Sequence, residues 1–209
     1  MSTASALRAF EECGPHRVIR NFLGPDLVNQ LLALAEANQD AFKPAGVGDG
    51  ILDPEIRVSL LLRDLGPLRE VLKARFRAIM DHAVAELRLA PFDLGRVEIE
   101  LAAHGDGAFF GRHIDTRTGP TDNTMDRALT GVLYFHAQPK NYGGGQLRLH
   151  SILPPEQGGC VQDITPERDM LLLFPSWLPH EVRPIVCPSG AFMDSRFAIN
   201  CWFWSRRKL

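Results

Sequence analysis

Neither sign of charge is in excess: 23 lysines and arginines stand against 25 aspartates and glutamates over 209 residues, a formal net charge of −2. Such a balance gives no general pull toward nucleic acid or an anionic membrane surface, and neither partner is expected. Cysteine is scarce, and Cys13, Cys160, Cys187 and Cys201 form no C-x-x-C pair and no zinc-like spacing. A redox motif and a structural zinc site are therefore not indicated, and the expectation is reduced thiols in a cytoplasmic protein. No apolar run approaches the roughly 20 residues of a membrane span. Met1 to Cys13 carries acidic residues without the apolar stretch of a secretory signal. Repeats, low-complexity tracts and linkers are missing too, so residues 1–209 are expected to form one domain, with enough apolar residues for a substantial core.

What is present divides into three parts. Residues 1–15 are small and polar and are expected to be loosely held. Residues 16–90 read as mostly helical support. A short strand at His16–Phe22 leads to Gly24-Pro25-Asp26, where proline costs nothing at a helix start. Leu27, Leu31, Leu34 and Ala35 then recur at helical spacing to about Asn38. A loop over Phe42–Pro54 and an apolar run at Ile56–Leu62 precede the strongest helical pattern, Leu68, Val71, Leu72, Phe76, Ile79, Ala83 and Leu87, within 66–89. His82 on that helix reads as a surface or boundary residue, since a helical flank rarely supplies a lone ligand.

After Pro91 the period changes to two. Val97, Ile99 and Leu101 alternate with polar or small residues, Gly105-Asp106-Gly107 makes a turn, and strands are expected at Leu129–His136, Gln146–His150, Met170–Phe174, His180–Pro184 and Phe197–Trp204. Short strands with regular turn signals predict a β sandwich or jelly roll over 91–209, with the two helices covering one outer face.

Within this pattern His113 and Asp115 lie two positions apart, so on a strand both side chains leave the same face. A third ligand at His180 would give two imidazoles and a carboxylate, the facial set that leaves half of an octahedral ion open and that non-haem Fe(II) oxygenases use. Arg196 opens a strand on which Arg196, Ala198, Asn200 and Trp202 share one face. A guanidinium there needs an anion. It is either a dicarboxylate held in bidentate fashion or a structural partner, Asp194 or Asp163. Tyr134 shares a strand face with Thr130, Val132 and His136, and its hydroxyl requires a partner if it is buried. His104 and His136 are the remaining histidines placed to reach the same pocket, and neither is expected to be a ligand.

These motifs occur in a particular order: His-x-Asp after a glycine-rich hairpin, a tyrosine strand, Gly143-Gly144-Gly145-Gln146-Leu147-Arg148-Leu149, an apolar strand ending Phe174-Pro175-Ser176, His180-Glu181-Val182 and Ser195-Arg196-Phe197-Ala198-Ile199-Asn200. In that order, over about residues 97–204, the chain resembles the Fe(II)- and 2-oxoglutarate-dependent dioxygenases, and among them the prolyl 4-hydroxylase-like branch. The resemblance implies a double-stranded β-helix and a hydroxylase using Fe(II), 2-oxoglutarate and O2, with ascorbate as an accessory. It implies His113, Asp115 and His180 as metal ligands and catalytic centre, and Arg196 with Tyr134 on the distal carboxylate of 2-oxoglutarate. Val182 and Trp202 would line the cosubstrate pocket, and Asn200 would lie behind the metal. The family's halogenases lack the carboxylate ligand, so Asp115 favours hydroxylation. The implied substrate is a prolyl or other residue of a peptide or protein, or else a free amino acid or small metabolite.

Two features depart from the family's pattern. Cys187–Asp194 lengthens the interval between His180 and Arg196, and Ala102-Ala103-His104 stands where some members carry a tyrosine. Thr116–Arg127, polar and rich in glycine and proline, is expected to be either a substrate-contacting lid or a plain surface loop. Two other functional readings fit part of the pattern. A non-catalytic jelly-roll binding module would need neither Arg196 nor Asp115, and both are present. A zinc hydrolase with the same ligands would leave Arg196 without a purpose and lacks a general base.

Overall fold

The computed structural model describes residues 12–47, 50–116 and 124–207. The expected loose segment 1–15 lies outside the described residues as far as position 11, and the expected lid lies outside them at 117–123.

Among the described residues two α-helices, α1 at Pro25–Ala37 and α2 at Leu68–Glu86, sit where the apolar periodicity puts them. Pro25 occupies the first turn of α1, which buries Val28, Leu31 and Ala35. Helix α2 buries Leu72, Phe76, Ala83 and Val84. Val71, expected on that buried face, is 43% exposed at its rim. His82 is at the surface, 3.4 Å from Glu86 one turn on.

Seven strands form the larger sheet: β1 (Arg17–Arg20), β2 (Lys43–Pro44), β4 (Leu60–Leu62), β5 (Leu94–His104), β7 (Met125–Phe135), β11 (Met170–Pro175) and β14 (Arg196–Arg206), in the order β1-β11-β7-β14-β5-β4-β2. Five form the smaller sheet: β3 (Arg57–Val58), β6 (Phe109–His113), β9 (Leu147–His150), β10 (Val161–Ile164) and β12 (His180–Val182), in the order β10-β9-β12-β6-β3. Strands β8 (Gly143–Gly144) and β13 (Ile185–Val186) make a separate pair. Among the described residues every strand pairing is antiparallel. The two sheets are the halves of a double-stranded β-helix, and Ser59 alone separates β3 in one from β4 in the other.

The alternation of β14 explains how the larger sheet serves two purposes. Phe197, Ile199, Cys201 and Phe203 point to its outer side and join Leu72, Phe76 and Leu31 from the helices in one apolar core. Phe76 lies 5.5 Å from the Phe22 ring and 6.5 Å from that of Phe203, with no exposed surface; truncating such a side chain costs about 3–5 kcal/mol. The inner side, with Ala198, Tyr134, Leu172 and Phe174, builds a second core with Leu147 and Leu149 of the smaller sheet.

Cys13 and Cys160 are joined as a disulfide across 147 residues of chain, with their Cα atoms 5.8 Å apart. This differs from the expectation of four reduced thiols: linear spacing holds no record of a bridge between a terminal segment and a distant loop that only the fold brings together. Cys187 and Cys201 are free and buried. No helix among the described residues is long and apolar enough to cross a membrane.

Candidate metal centre and anion pocket

His113 ends β6 and His180 begins β12, and the two residues are register partners across those neighbouring strands. Asp115 lies just past β6, where its backbone N–H donates to Ser176 O at 2.8 Å. The pairing brings the side chains of His113, Asp115 and His180 together, with ligand atoms all within 4.8 Å of one another. It is the one group of three or more such residues that could hold an ion among the described residues.

Each of these side chains is oriented from behind. His113 Nδ1 is 2.8 Å from Gly111 O, and His180 Nδ1 is 2.8 Å from Leu178 O. An N–H at Nδ1 donating to a carbonyl leaves the Nε2 lone pair free for a metal. The two Nε2 atoms lie 3.8 and 3.7 Å from the Asp115 oxygens. Thr130 Oγ1 donates to Asp115 Oδ2 at 2.8 Å and is 2.9 Å from Ser176 Oγ. The Phe110 ring stacks on His113 at 3.6 Å, and Arg57 lies over the Phe110 ring, 4.7 Å from its centroid.

Burial, and after it the neighbouring His180, pushes the His113 imidazole down to about 3. Burial pushes the Asp115 carboxyl up, yet His180, His113 and Arg127 outweigh it and hold it below its ordinary value. The site therefore offers a neutral imidazole at His113 and an ionised carboxylate at neutral pH, the forms in which these groups bind metals.

A cavity opens from these ligands toward Arg196 and is walled by Val182, Asn200, Trp202 and His104. Arg196 is 1% exposed, and its Nε and Nη1 have no hydrogen-bond partner. The structural partners considered for it are engaged elsewhere: Asp194 accepts from Ser189 and Asn141, and Asp163 from Arg148. Burial lowers the Arg196 guanidinium from its ordinary value, against the pull of Tyr134 and Tyr142. Tyr134 does not line the open cavity. It lies beside Arg196, whose guanidinium carbon is 5.1 Å from the Tyr134 ring, and its buried hydroxyl has no partner. A buried guanidinium without an acceptor is costly, so this set of donors fits a carboxylate ligand. The donor set of His113, Asp115 and His180 fits Fe(II) equally well.

His113, Asp115, His180, Val182, Arg196, Asn200 and Trp202 thus line one pocket, with Tyr134 beside Arg196. His104 reaches it as expected; His136 does not line it, and its Nδ1 is instead 2.7 Å from Ala137 O. Residues that sequence reasoning missed are Phe110 and Arg57, since neither stands in a spacing that marks it, and Thr130, whose face was legible but whose partner was not. Arg127, 3.8 Å above the Trp202 ring and 4.0 Å from Asp115 Oδ1, also enters only through folding. A second, larger cavity of about 480 Å³ adjoins the first, lined mostly by apolar groups including Leu52, Pro54, Val58 and Leu60, and the two share Arg57.

Residues 99–204 match the family model of the 2OG-Fe(II) oxygenase superfamily. An uncharacterised PKHD-type hydroxylase of Synechocystis is 28% identical over 200 residues, covering 94% of this chain and 64% of that protein. The chain thus spans just under two thirds of that relative. A PKHD-type hydroxylase of Hyphomonas neptunium is 26% identical, covering 91% of this chain and 79% of its own. Among solved structures, a Pseudomonas putida prolyl-4-hydroxylase superposes with a TM-score of 0.66 at 27% identity, covering 98% of this chain and 99% of its own. A Trichoplax adhaerens prolyl hydroxylase in complex with a hypoxia inducible factor peptide fragment shares the fold, at a TM-score of 0.65 and 23% identity, covering 98% and 94%.

Proposed function

Because the chain belongs to the 2OG-Fe(II) oxygenase superfamily, we propose that it is an Fe(II)- and 2-oxoglutarate-dependent hydroxylase, folded as one domain, that acts on a prolyl residue of a peptide or protein. The observation that carries this reading is the pairing of a three-ligand set with a buried guanidinium whose Nε and Nη1 lack a partner, at the other end of one small cavity. His113 and His180 bind the metal through Nε2, and Asp115 binds it through a carboxylate oxygen. Arg196 and Tyr134 bind the distal carboxylate of 2-oxoglutarate. When bound, the metal and the 2-oxo acid supply the O2 activation that no side chain can provide.

The remaining residues position these groups and keep the pocket dry. The Gly111 and Leu178 carbonyls hold the proton of each imidazole on Nδ1. Thr130 fixes the carboxylate plane of Asp115. Val182, Val132 and Leu147 supply apolar walls to the cavity, which strengthens every electrostatic contact inside it. Trp202 backs Arg127 against the carboxylate side, and Asn200 donates toward the buried Glu100 at 3.5 Å.

A peptide is favoured over a free amino acid by the larger apolar cavity beside the metal pocket, which offers room for flanking residues, and by the likeness to a prolyl-4-hydroxylase. The test is anaerobic assembly with Fe(II) and 2-oxoglutarate, then O2-dependent succinate release screened over proline-containing peptides, free amino acids and small metabolites. A mass gain of one oxygen on a prolyl residue supports the proposal. Turnover with free amino acids alone would move the substrate to the second class, and a protein that binds neither metal nor 2-oxoglutarate would end the hydroxylase reading.

A further inference from the structure

The chain has only two tyrosines beside twelve phenylalanines. Both, Tyr134 and Tyr142, are buried, and both hydroxyls lack a hydrogen-bond partner. A buried ring kept only for packing would be better served by phenylalanine, because an unsatisfied hydroxyl is penalised in the interior. Tyr134 is absorbed by the proposed function. Tyr142 is not.

Tyr142 stands just before β8 in a small apolar cluster with Ala108, Ile185 and Cys187, against which Val182 packs. Ile185 is also the link to the anion pocket. A Cβ placed on Gly145 would meet Ile185 Cγ1 at 2.8 Å and Arg196 Cδ at 3.0 Å. The glycine run therefore lets the backbone pass directly over the guanidinium, and Tyr142 lies at the start of that run. The two hydroxyls and the guanidinium sense one another: burial raises Tyr142 to about 12, against the pull of Arg196, and Tyr134 is raised to about 12 by burial and, in smaller part, by Tyr142. On the solvent side, Lys140 Nζ lies 4.5 Å from the centre of the Tyr142 ring. Three buried groups on three separate segments thus bring unpartnered donors to one place, and one of those segments is the loop that the sequence marks only by its glycines.

We propose that the Tyr142 hydroxyl is a third donor, with Tyr134 and Arg196, to the distal carboxylate of the cosubstrate, and that it selects a dicarboxylic 2-oxo acid over a monocarboxylic one. This inference rests on the 2-oxoglutarate reading of the pocket. A carboxylate has two oxygens and about four acceptor sites, enough for the guanidinium and both hydroxyls together.

The experiment is calorimetric titration of the full chain loaded with Mn(II), which fills the metal site without turnover. 2-Oxoglutarate and oxalate are the two probes, since oxalate can chelate the metal but has no distal carboxylate. Tyr142→Phe is expected to weaken 2-oxoglutarate by about ten- to a hundredfold, as for the loss of a hydrogen bond to a charged group, and to leave oxalate unchanged. Equal 2-oxoglutarate affinity in variant and wild type overturns the inference, and so does a parallel loss for both probes, which is the mark of a loosened fold. Failure of the wild type itself to bind 2-oxoglutarate overturns the underlying reading, and the inference with it.

Discussion

Thr130 Oγ1 donates to Asp115 Oδ2 at 2.8 Å, so the carboxylate expected to hold the metal is itself held by a strand of the opposite sheet. Thr130→Val keeps the shape and removes the donor. Metal affinity is expected to fall by about ten- to a hundredfold, the usual effect of removing a group that orients a ligand. Competition against a chromophoric chelator measures it, and wild-type affinity in the variant would show that Asp115 needs no such support.

Arg196→Lys keeps one positive charge but not the planar fork. Its buried Nε and Nη1 have no partner, so 2-oxoglutarate is expected to bind about ten- to a hundredfold more weakly, at about 1.5–3 kcal/mol for each charge-assisted bond lost. Metal affinity should be unchanged. Anaerobic titration separates the two constants; a lost metal site with intact 2-oxoglutarate binding would reverse the assignment.

Gly145 has φ +68° and sits against both Ile185 and Arg196. Gly145→Ala is expected to cost about 1–3 kcal/mol from backbone strain alone, with Tm lowered by about 2–4 °C for each kcal/mol in a chain of this size. Gly143, with nothing within 4 Å of its notional Cβ, is the control. Equal melting of Gly143→Ala and Gly145→Ala would dismiss the close approach as unimportant.

Burial, then Arg196 and Arg57, lowers the His104 imidazole well below its ordinary value. The folded chain therefore leaves His104 neutral where the unfolded chain protonates it, below about pH 6.5. Stability is expected to fall with decreasing pH through that window, by up to about 1.4 kcal/mol per pH unit from this residue. Glu100, raised by burial, acts in the opposite sense above its own ordinary value, so the quantity to read is the difference between wild type and His104→Gln in denaturant melts from pH 7 to 5. Parallel pH profiles would mean that His104 is protonated in the fold.

The elements with strong periodicity were legible in the sequence: both helices, and the alternation of β5, β7 and β14. So was the metal set, because His113 and Asp115 stand two positions apart in a recognisable context, although β6 ends at His113 and Asp115 lies just beyond it. What was not legible depends on distance along the chain. Phe110 reaches His113 by stacking and Arg57 reaches Phe110 across a strand pair, and no local pattern marks such contacts. Strands of two residues, such as β2, β3, β8 and β13, are too short for any period to register. The Cys13–Cys160 bridge joins segments that only the fold makes neighbours.

The two ends of the pocket rest on unequal foundations. Arg196 belongs to an eleven-residue strand in the interior of the larger sheet, paired along nearly its whole length on both sides. His113 and His180 sit at the ends of strands of five and three residues. Amide hydrogen exchange should therefore protect the β14 backbone far longer than that around β12, because long paired strands open only with the whole molecule and short ones open locally. Under mild stress the chain would then shed its metal while the opposite end of the pocket is still intact, and added Fe(II) would refill the site without refolding of the protein.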